Sequence, residues 1–231
     1  MAGYFSSSLG RKQVVAITGL LLILFLIMHL SGNLLLFKGP DAFNAYAEFL
    51  DSLGKLKVIA RIGLVALFVS HIVFTALLVI DNRKARGKEG YAVSRAVGKR
   101  SFATRLMPYT GTLVLAYLIF HLTDYTLAEH HTAKSIVDGV NLGLYGLVYN
   151  SFRSPVRVAF YVAGMFGIGF HLIHAVQSVV QTFGFNHPVA TPIIRRLSTI
   201  IGVAIAVGFA SIPIYLFICG GTRACSVSSL F

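Results

Sequence analysis

Residues 14–37, VVAITGLLLILFLIMHLSGNLLLF, form an apolar stretch bounded by Lys12 and Lys38. A helix needs about 20 mostly apolar residues to cross the hydrocarbon core of a bilayer. This stretch meets that length. It is too long for the apolar segment of a signal peptide, and no small-residue cleavage site follows it. We therefore expect a transmembrane helix that is retained in the protein.

Four further apolar stretches cover residues 58–80, 106–128, 156–183 and 197–219. The chain is 56% hydrophobic and only 12% charged, whereas a soluble domain of this size needs more polar surface. The net charge of +12 does not indicate binding to nucleic acid, because the charged residues lie between the apolar stretches. The sequence predicts an all-α integral membrane bundle of five transmembrane helices, forming a single membrane domain over residues 1–231.

The distribution of Lys and Arg predicts the orientation of the bundle, since basic residues mark the cytoplasmic side. The N-terminal segment and the loops 81–105 and 184–196 are basic, with Asp81 and Glu89 as their acidic residues. We expect the N-terminus in the cytoplasm and the C-terminus outside, in the cytoplasmic membrane of a prokaryote. Two interpretations of the basic 81–105 loop remain open, a simple topology signal or a docking surface for a soluble partner.

Residues 41–53, DAFNAYAEFLDSL, carry apolar side chains at helical spacing. This pattern predicts a short helix on the outer surface with its apolar face toward the membrane, ended by Gly54. From the sequence alone we identify no internal repeat.

Four histidines lie late in the first four spans, one in each: His29, His71, His121 and His171. Because successive spans run in opposite directions, His29 and His121 lie toward the outside, and His71 and His171 toward the cytoplasm. At a rise of about 1.5 Å per residue, the two layers are about 14 Å apart. Each layer draws its two histidines from different helices, which is what two stacked bis-histidine haems require.

An imidazole inside a membrane is costly and usually functional. A hydrogen bond between helices would explain one such histidine, but four in two matched layers favour haem ligation. His174 follows His171 by one turn at similar depth, so the residues alone leave that choice open. We interpret His130, His131 and His187 as solvated loop residues. Cys219 and Cys225 form no C-x-x-C pair, so neither a zinc site nor an iron–sulfur cluster is expected; they form either one disulfide or two free thiols.

The stretches HLSGNLLLFKGPDAFNAYAEFLDSL, from His29, and FHLIHAVQSVVQTFG, from Phe170, resemble a known family. It comprises the dihaem cytochrome b subunits of succinate:quinone oxidoreductases and quinol:fumarate reductases, in their single-chain, five-helix form. The resemblance covers most of the chain. It implies an outer, distal haem b held by His29 and His121, and an inner, proximal haem b held by His71 and His171. The family's pattern around the span-four ligand fits Phe170-His171 and Phe183-Gly184, which favours His171 over His174.

The resemblance also implies partners. A flavoprotein subunit, which carries the dicarboxylate chemistry, and an iron–sulfur subunit dock on the cytoplasmic face. This chain anchors them in the lipid and passes electrons between the iron–sulfur clusters and menaquinone or ubiquinone.

Some members use an acidic residue beside the distal haem to protonate quinone, and Glu48 and Asp51 are the candidates here. An ordinary solvated surface explains them equally well. Some fumarate reductases carry a glutamate at the position of Gly169, so we do not expect that proton path. Partners for the proximal haem propionates would come from Arg11, Lys12, Gln13 and Arg105, although a role in topology alone also accounts for these residues.

Two other functions compete with this one. A cytochrome b subunit of a hydrogenase or a formate dehydrogenase would place its ligands on other helices. A transporter with a histidine proton relay would favour interrupted helices, but Pro213 stands alone in the fifth span.

Overall fold

The computed structural model describes residues 3–86, 102–129, 132–185 and 187–219. Side chains are described for all of these except 86, 102–105 and 219. The helices in this part of the chain are α1 (Gly3–Ser6), α2 (Ser8–Asn33), α3 (Pro40–Ser52), α4 (Lys55–Arg86), α5 (Phe102–His121), α6 (Gly143–Ser151), α7 (Pro155–Thr182) and α8 (Ala190–Cys219). A 3-10 turn (Leu34–Lys38) extends α2, and a π turn (Leu122–Thr126) extends α5.

Five helices of the described chain are long and apolar enough to cross a membrane, at Ser8–Lys38, Lys55–Ala85, Leu106–Thr126, Pro155–Thr182 and Ala190–Ile218. The predicted all-α bundle of five spans is confirmed. Serine side chains cap the starts of α2 and α7. The Ser7 side chain accepts a hydrogen bond from the Gly10 amide, and the Ser154 side chain accepts one from the Arg157 amide. Both contacts satisfy amides that have no partner within the helix.

The predicted surface helix is present as α3. Gly39, at φ 93°, precedes it, and Gly54, at φ 51°, follows it; both conformations favour glycine. Phe43 is buried beneath the helix. We call the side of the bundle that carries the N-terminus the inner side and the opposite side the outer side. Helix α3 belongs to the outer side.

A small outer cap between the third and fourth spans was missing from the sequence prediction. Strand β1 (Ile136–Val137) pairs antiparallel with β2 (Val140–Asn141) around Asp138 and Gly139, which both have positive φ. An Asp-Gly pair in this conformation forms a tight hairpin turn. Helix α6 follows, and the Asn44 side chain ties it to α3 by accepting from the Tyr145 amide (3.1 Å) and donating to the Leu142 carbonyl (2.9 Å).

The spans pack in a definite order. Helix α2 packs on both α4 and α7, α5 packs on α7, and α8 lies along α7 and also contacts α2. At the α7–α8 crossing, a Cβ on Gly169 would lie 2.7 Å from the Ala206 Cβ. Small residues let two membrane helices approach closely, so Gly169 serves helix packing. None of the described side chains of α4 is buried, so this helix forms an edge of the bundle that faces lipid.

Candidate functional site

The outer histidines come together in the structure. The rings of His29 on α2 and His121 on α5 have centroids 5.8 Å apart and planes inclined by 83°. Metal–imidazole bonds are about 2.0–2.1 Å long, as measured at zinc. The two rings are therefore close enough for one metal ion to bind a nitrogen of each.

Aromatic side chains surround this outer pair. Phe25 stacks on His29, with centroids 5.3 Å apart and planes within 16°, and Tyr117 stacks on His121 at 5.8 Å and 22°. Phe209 packs against His29 from α8 at 5.7 Å. A flat, apolar environment of this kind suits a macrocycle better than it suits a hydrated ion.

The polar contacts of the outer pair are few. Nδ1 of His121 is buried and has no hydrogen-bond partner among the described residues. The Asn33 side-chain amide donates to the His29 carbonyl at 2.8 Å, and its nitrogen also lies 3.4–3.5 Å from the two ring nitrogens of His29. A buried imidazole nitrogen without a partner is costly, which is consistent with a site built to bind an additional group.

The inner histidines are each held by a threonine of a neighbouring helix. Nδ1 of His71 on α4 lies 3.1 Å from the Thr18 hydroxyl of α2. Nδ1 of His171 on α7 lies 3.2 Å from the Thr110 hydroxyl of α5. The inner histidines thus link α4 to α2 and α7 to α5.

A glycine follows each of these threonines, and the neighbouring imidazole lies against it. A Cβ on Gly19 would lie 3.3 Å from Cε1 of His71, and a Cβ on Gly111 would lie 3.5 Å from Cε1 of His171. The approach at Gly19 is tighter than an ordinary Cβ contact, whereas a Cβ at Gly111 would make an ordinary contact with the ring.

The contact with the Thr110 hydroxyl distinguishes His171 from His174. Both side chains are half-buried on α7, but the contact with Thr110 is made by His171. Its geometry matches that of His71, so His171 is the counterpart of His71 in the inner layer.

The two halves of the bundle share a sequence pattern that we did not identify from the sequence alone. Residues 18–30, TGLLLILFLIMHL, align without gaps with residues 110–122, TGTLVLAYLIFHL. The aligned threonines contact the inner histidines, the aligned aromatics Phe25 and Tyr117 stack on the outer ones, and the aligned histidines form the outer pair. The expectation of no internal repeat was wrong for these two segments. Comparing spans one and three with their histidines in register would have found the pattern.

The predicted acidic residues lie at the surface. Glu48 is exposed on α3, and the exposed Asp51 is ion-paired with Lys57 at the start of α4. The structure shows no contact between either carboxylate and the outer histidines among its described residues.

Sequence reasoning did not single out another carboxylate, Asp124. It follows His121 by three residues within the π turn. Its Oδ2 accepts a hydrogen bond from the Tyr161 hydroxyl (2.7 Å), and its Oδ1 lies 3.2 Å from Nη1 of Arg157. Its side chain is 20% exposed. An acidic residue at the end of an apolar stretch is itself a signal of function, and π turns are frequent at functional sites.

The predicted propionate partners lie at the inner edge. Arg11 forms an ion pair with Asp81 of α4, Gln13 accepts a hydrogen bond from the Tyr4 hydroxyl, and Lys12 is exposed. Several predictions fall outside the described residues: the side chain of Arg105, the interpretation of His130 and His131, the loop at 87–101, and the state of Cys219 and Cys225. His187 lies in the described loop between α7 and α8 and is exposed.

The described residues contain no group of three or more His, Cys, Asp or Glu side chains that could hold a bare metal ion. Haem iron needs only two axial ligands from the protein. The outer pair of imidazoles therefore fits a haem by its chemistry, its spacing and its apolar surroundings.

The comparisons with known proteins identify one informative relative. The chain is 26% identical over 188 residues to the succinate dehydrogenase cytochrome b558 subunit of Bacillus subtilis (strain 168), which covers 81% of this chain and 84% of the relative. No protein-family model matches the sequence, and no solved structure matches it. The similarity extends over most of both proteins, and the five-span bundle of this chain is consistent with a cytochrome b subunit of this kind.

Proposed function

We propose that this chain anchors a succinate dehydrogenase or fumarate reductase in the membrane and transfers electrons between its iron–sulfur clusters and quinone through two bis-histidine haems b. The observation that carries the proposal is the outer pair, His29 and His121, brought within 5.8 Å by two different spans. The name of the Bacillus subtilis relative, a cytochrome b subunit, supports the same function.

Each haem has its own pair of ligands in this proposal. His29 and His121 hold the outer haem, and His71 and His171 hold the inner one. Haem iron supplies one-electron chemistry when bound, and its axial ligands help to set its potential. The protein orients the imidazoles, keeps water away from the outer pair with Phe25 and Tyr117, and leaves room at Gly19 and Gly111 beside the inner rings.

The distance between the layers suits a path across the membrane. Thr18, which contacts the inner layer, precedes His29 of the outer layer by eleven residues of one helix. At about 1.5 Å per residue this is a rise of about 16 Å. Two electron carriers at these depths connect the inner side, where a soluble subunit docks, with a quinone near the outer side.

Quinone, whether menaquinone or ubiquinone, takes up protons when it is reduced. Glu48 and Asp51 remain proposed proton donors, but both are exposed and Asp51 is ion-paired. Asp124 is a further candidate because it lies one turn from His121 and is bonded to Tyr161 and Arg157. A carboxyl group with these neighbours can exchange a proton close to the outer haem.

The partners in this proposal are a flavoprotein subunit, which acts on the dicarboxylate, and an iron–sulfur subunit, both on the inner side. Arg83 and Lys84 are exposed at the inner end of α4 and provide positive charge for docking. The exposed apolar side chains of α4 face lipid.

Haem content tests the proposal. The purified complex would be analysed by a pyridine haemochromogen assay, with the wild type compared with His29→Ala and His71→Ala. His187→Ala, an exposed loop histidine, is the matched control. We expect two b haems per chain in the wild type and the control, and the loss of a different haem in each span variant.

Two results would contradict the proposal. A wild type without haem would exclude electron transfer through this chain, and the histidines would then belong to a proton relay or to helix packing. Loss of the same haem in His29→Ala and His71→Ala would show that the histidines do not form two layers.

A further inference from the structure

The threonine at each inner histidine has a second set of contacts, with its own helix. The Thr18 hydroxyl lies 2.7 Å from the Val14 carbonyl and 3.2 Å from the Val15 carbonyl. The Thr110 hydroxyl lies 3.2 Å from the carbonyls of both Leu106 and Met107. Hydrogen bonds of this kind to the preceding turn are common for threonine in helices.

These contacts favour one direction for the hydrogen bond to histidine. A hydroxyl has one hydrogen. The Thr18 hydroxyl lies nearer to the Val14 carbonyl (2.7 Å) than to the His71 ring (3.1 Å), and the Thr110 hydroxyl has two carbonyls at the same 3.2 Å as the His171 ring, so donation to a carbonyl is favoured. The hydroxyl oxygen is then left to accept a hydrogen bond from the imidazole, which requires the proton of the neutral ring to be on Nδ1. The lone pair of that ring is consequently on Nε2, the nitrogen available to a metal.

We infer that Thr18 and Thr110 are positioning residues that hold His71 and His171 as Nδ1–H tautomers with Nε2 directed to the iron of the inner haem. This inference rests on the proposed function, because it assigns the partners of the ligands in that same site. A hydrogen bond from the far nitrogen of a ligating histidine fixes the ring and raises its basicity as a ligand.

The repeat in α2 and α5 supports the inference independently. In each helix the threonine precedes the outer histidine by eleven residues, which is about three turns, so both side chains lie on nearly the same face. That face therefore serves both layers, with a histidine in the outer layer and a threonine in the inner one. The glycine after each threonine lies against the neighbouring ring, and at Gly19 a Cβ would already crowd His71 at 3.3 Å.

The tautomers can be measured without haem. The full chain, labelled with ¹⁵N-histidine and prepared without haem in lipid or detergent, would be examined by NMR. We expect protonated Nδ1 at both His71 and His171. In Thr18→Val the shift pattern of His71 alone should change toward a tautomer mixture, and in Thr110→Val that of His171. Thr112→Val is the matched control, since Thr112 lies exposed on α5 and its hydroxyl bonds to the Pro108 carbonyl.

The haem-loaded complex provides a second readout. Removing the hydrogen-bond partner of a ligand typically weakens metal binding about 10–100-fold, so we expect the affinity for the inner haem to fall by this factor in Thr18→Val and Thr110→Val. The remaining inner haem should show altered electron paramagnetic resonance g-values and a higher midpoint potential, because a less basic ligand stabilises ferric iron less. The outer haem should be unchanged, and Thr18→Ser should restore the wild-type signals.

The outcomes separate the two proposals. Protonated Nε2 at His71 and His171 in the wild type would overturn the inference, as would valine variants whose inner-haem spectrum and potential equal those of the wild type. Absence of haem from every preparation would instead overturn the proposed function, while the tautomer measurement would still test the threonine contacts.

Discussion

At the outer end of the bundle, the carboxylate of Asp124 contacts both a hydroxyl donor and a cation. The Tyr161 hydroxyl and the Arg157 guanidinium contact different oxygens of its carboxylate. In Asp124→Asn the side chain keeps its shape and an oxygen that accepts from Tyr161, but it loses the exchangeable carboxyl proton. General acid–base groups contribute about 10²–10⁴-fold to rate. We therefore expect quinone reduction to fall by about 10²-fold or more, with both haems retained, in a steady-state assay of the complex.

Glu48→Gln and Asp51→Asn serve as comparisons for this variant. Both carboxylates are exposed, and exposed ion pairs such as Asp51–Lys57 contribute about 0–1 kcal/mol to stability, so neither substitution should disturb folding. If one of these variants loses quinone reduction while Asp124→Asn keeps it, the proton donor lies on α3.

At the scale of the helices, the α7–α8 crossing depends on two glycines. A Cβ on Gly169 would meet the Ala206 Cβ at 2.7 Å and the Gly202 carbonyl oxygen at 3.1 Å. Overpacking of this kind usually costs about 1–3 kcal/mol. Gly169→Ala should therefore lower the thermal unfolding temperature of the complex in detergent, and Gly169→Glu should lower it further.

Gly63→Ala is the control for this crossing. No atom lies within 4 Å of a Cβ at Gly63 on α4, and alanine favours a helix over glycine by roughly 0.5–1 kcal/mol. Its unfolding temperature should equal or exceed that of the wild type. Equal unfolding temperatures for Gly169→Ala and Gly63→Ala would mean that the crossing does not limit stability.

The elements differ in how far the sequence predicts them. Long apolar stretches predicted every span, and helical spacing with a terminal glycine predicted α3. The nine-residue helix α6 and the two-residue strands were missed, because their stability comes from contacts such as those of Asn44 with the chain around residues 142–145. Such contacts join residues far apart in the sequence and leave no local pattern, whereas the Asp138-Gly139 pair is a local signal of the hairpin turn that the sequence analysis did not use.

The residues of the candidate site also differ in how far the sequence predicts them. The depth of each histidine in the membrane, read from its position along its span, predicted the pairing of His29 with His121. The structure brings these two rings together. The threonines were missed because a threonine within a helix is unremarkable until its neighbour across the bundle is known. Asp124 was visible as an acidic residue at the end of a span, but its bonds to Tyr161 and Arg157 come from another helix.

At the scale of the whole molecule, the orientation in the membrane determines which of the two proposed haems would face the proposed soluble subunits. The distribution of basic residues predicts that the inner side is cytoplasmic. On that side, the Arg11–Asp81 ion pair joins the N-terminal end of α2 to the C-terminal end of α4. Lys84 is exposed near this pair, and Lys134 is exposed on the outer cap, so the two lysines mark opposite sides of the bundle.

Single cysteines at these two lysines test the orientation, in a variant whose Cys219 and Cys225 are replaced by serine. A maleimide that does not cross membranes should label Lys134→Cys in intact cells, and Lys84→Cys only after the cells are permeabilised. The control is equal labelling of both variants in detergent. The opposite pattern would place His29 and His121 on the cytoplasmic side. Electrons from a cytoplasmic iron–sulfur subunit would then enter at that pair, and the assignment of His71 and His171 to the proximal haem would be wrong.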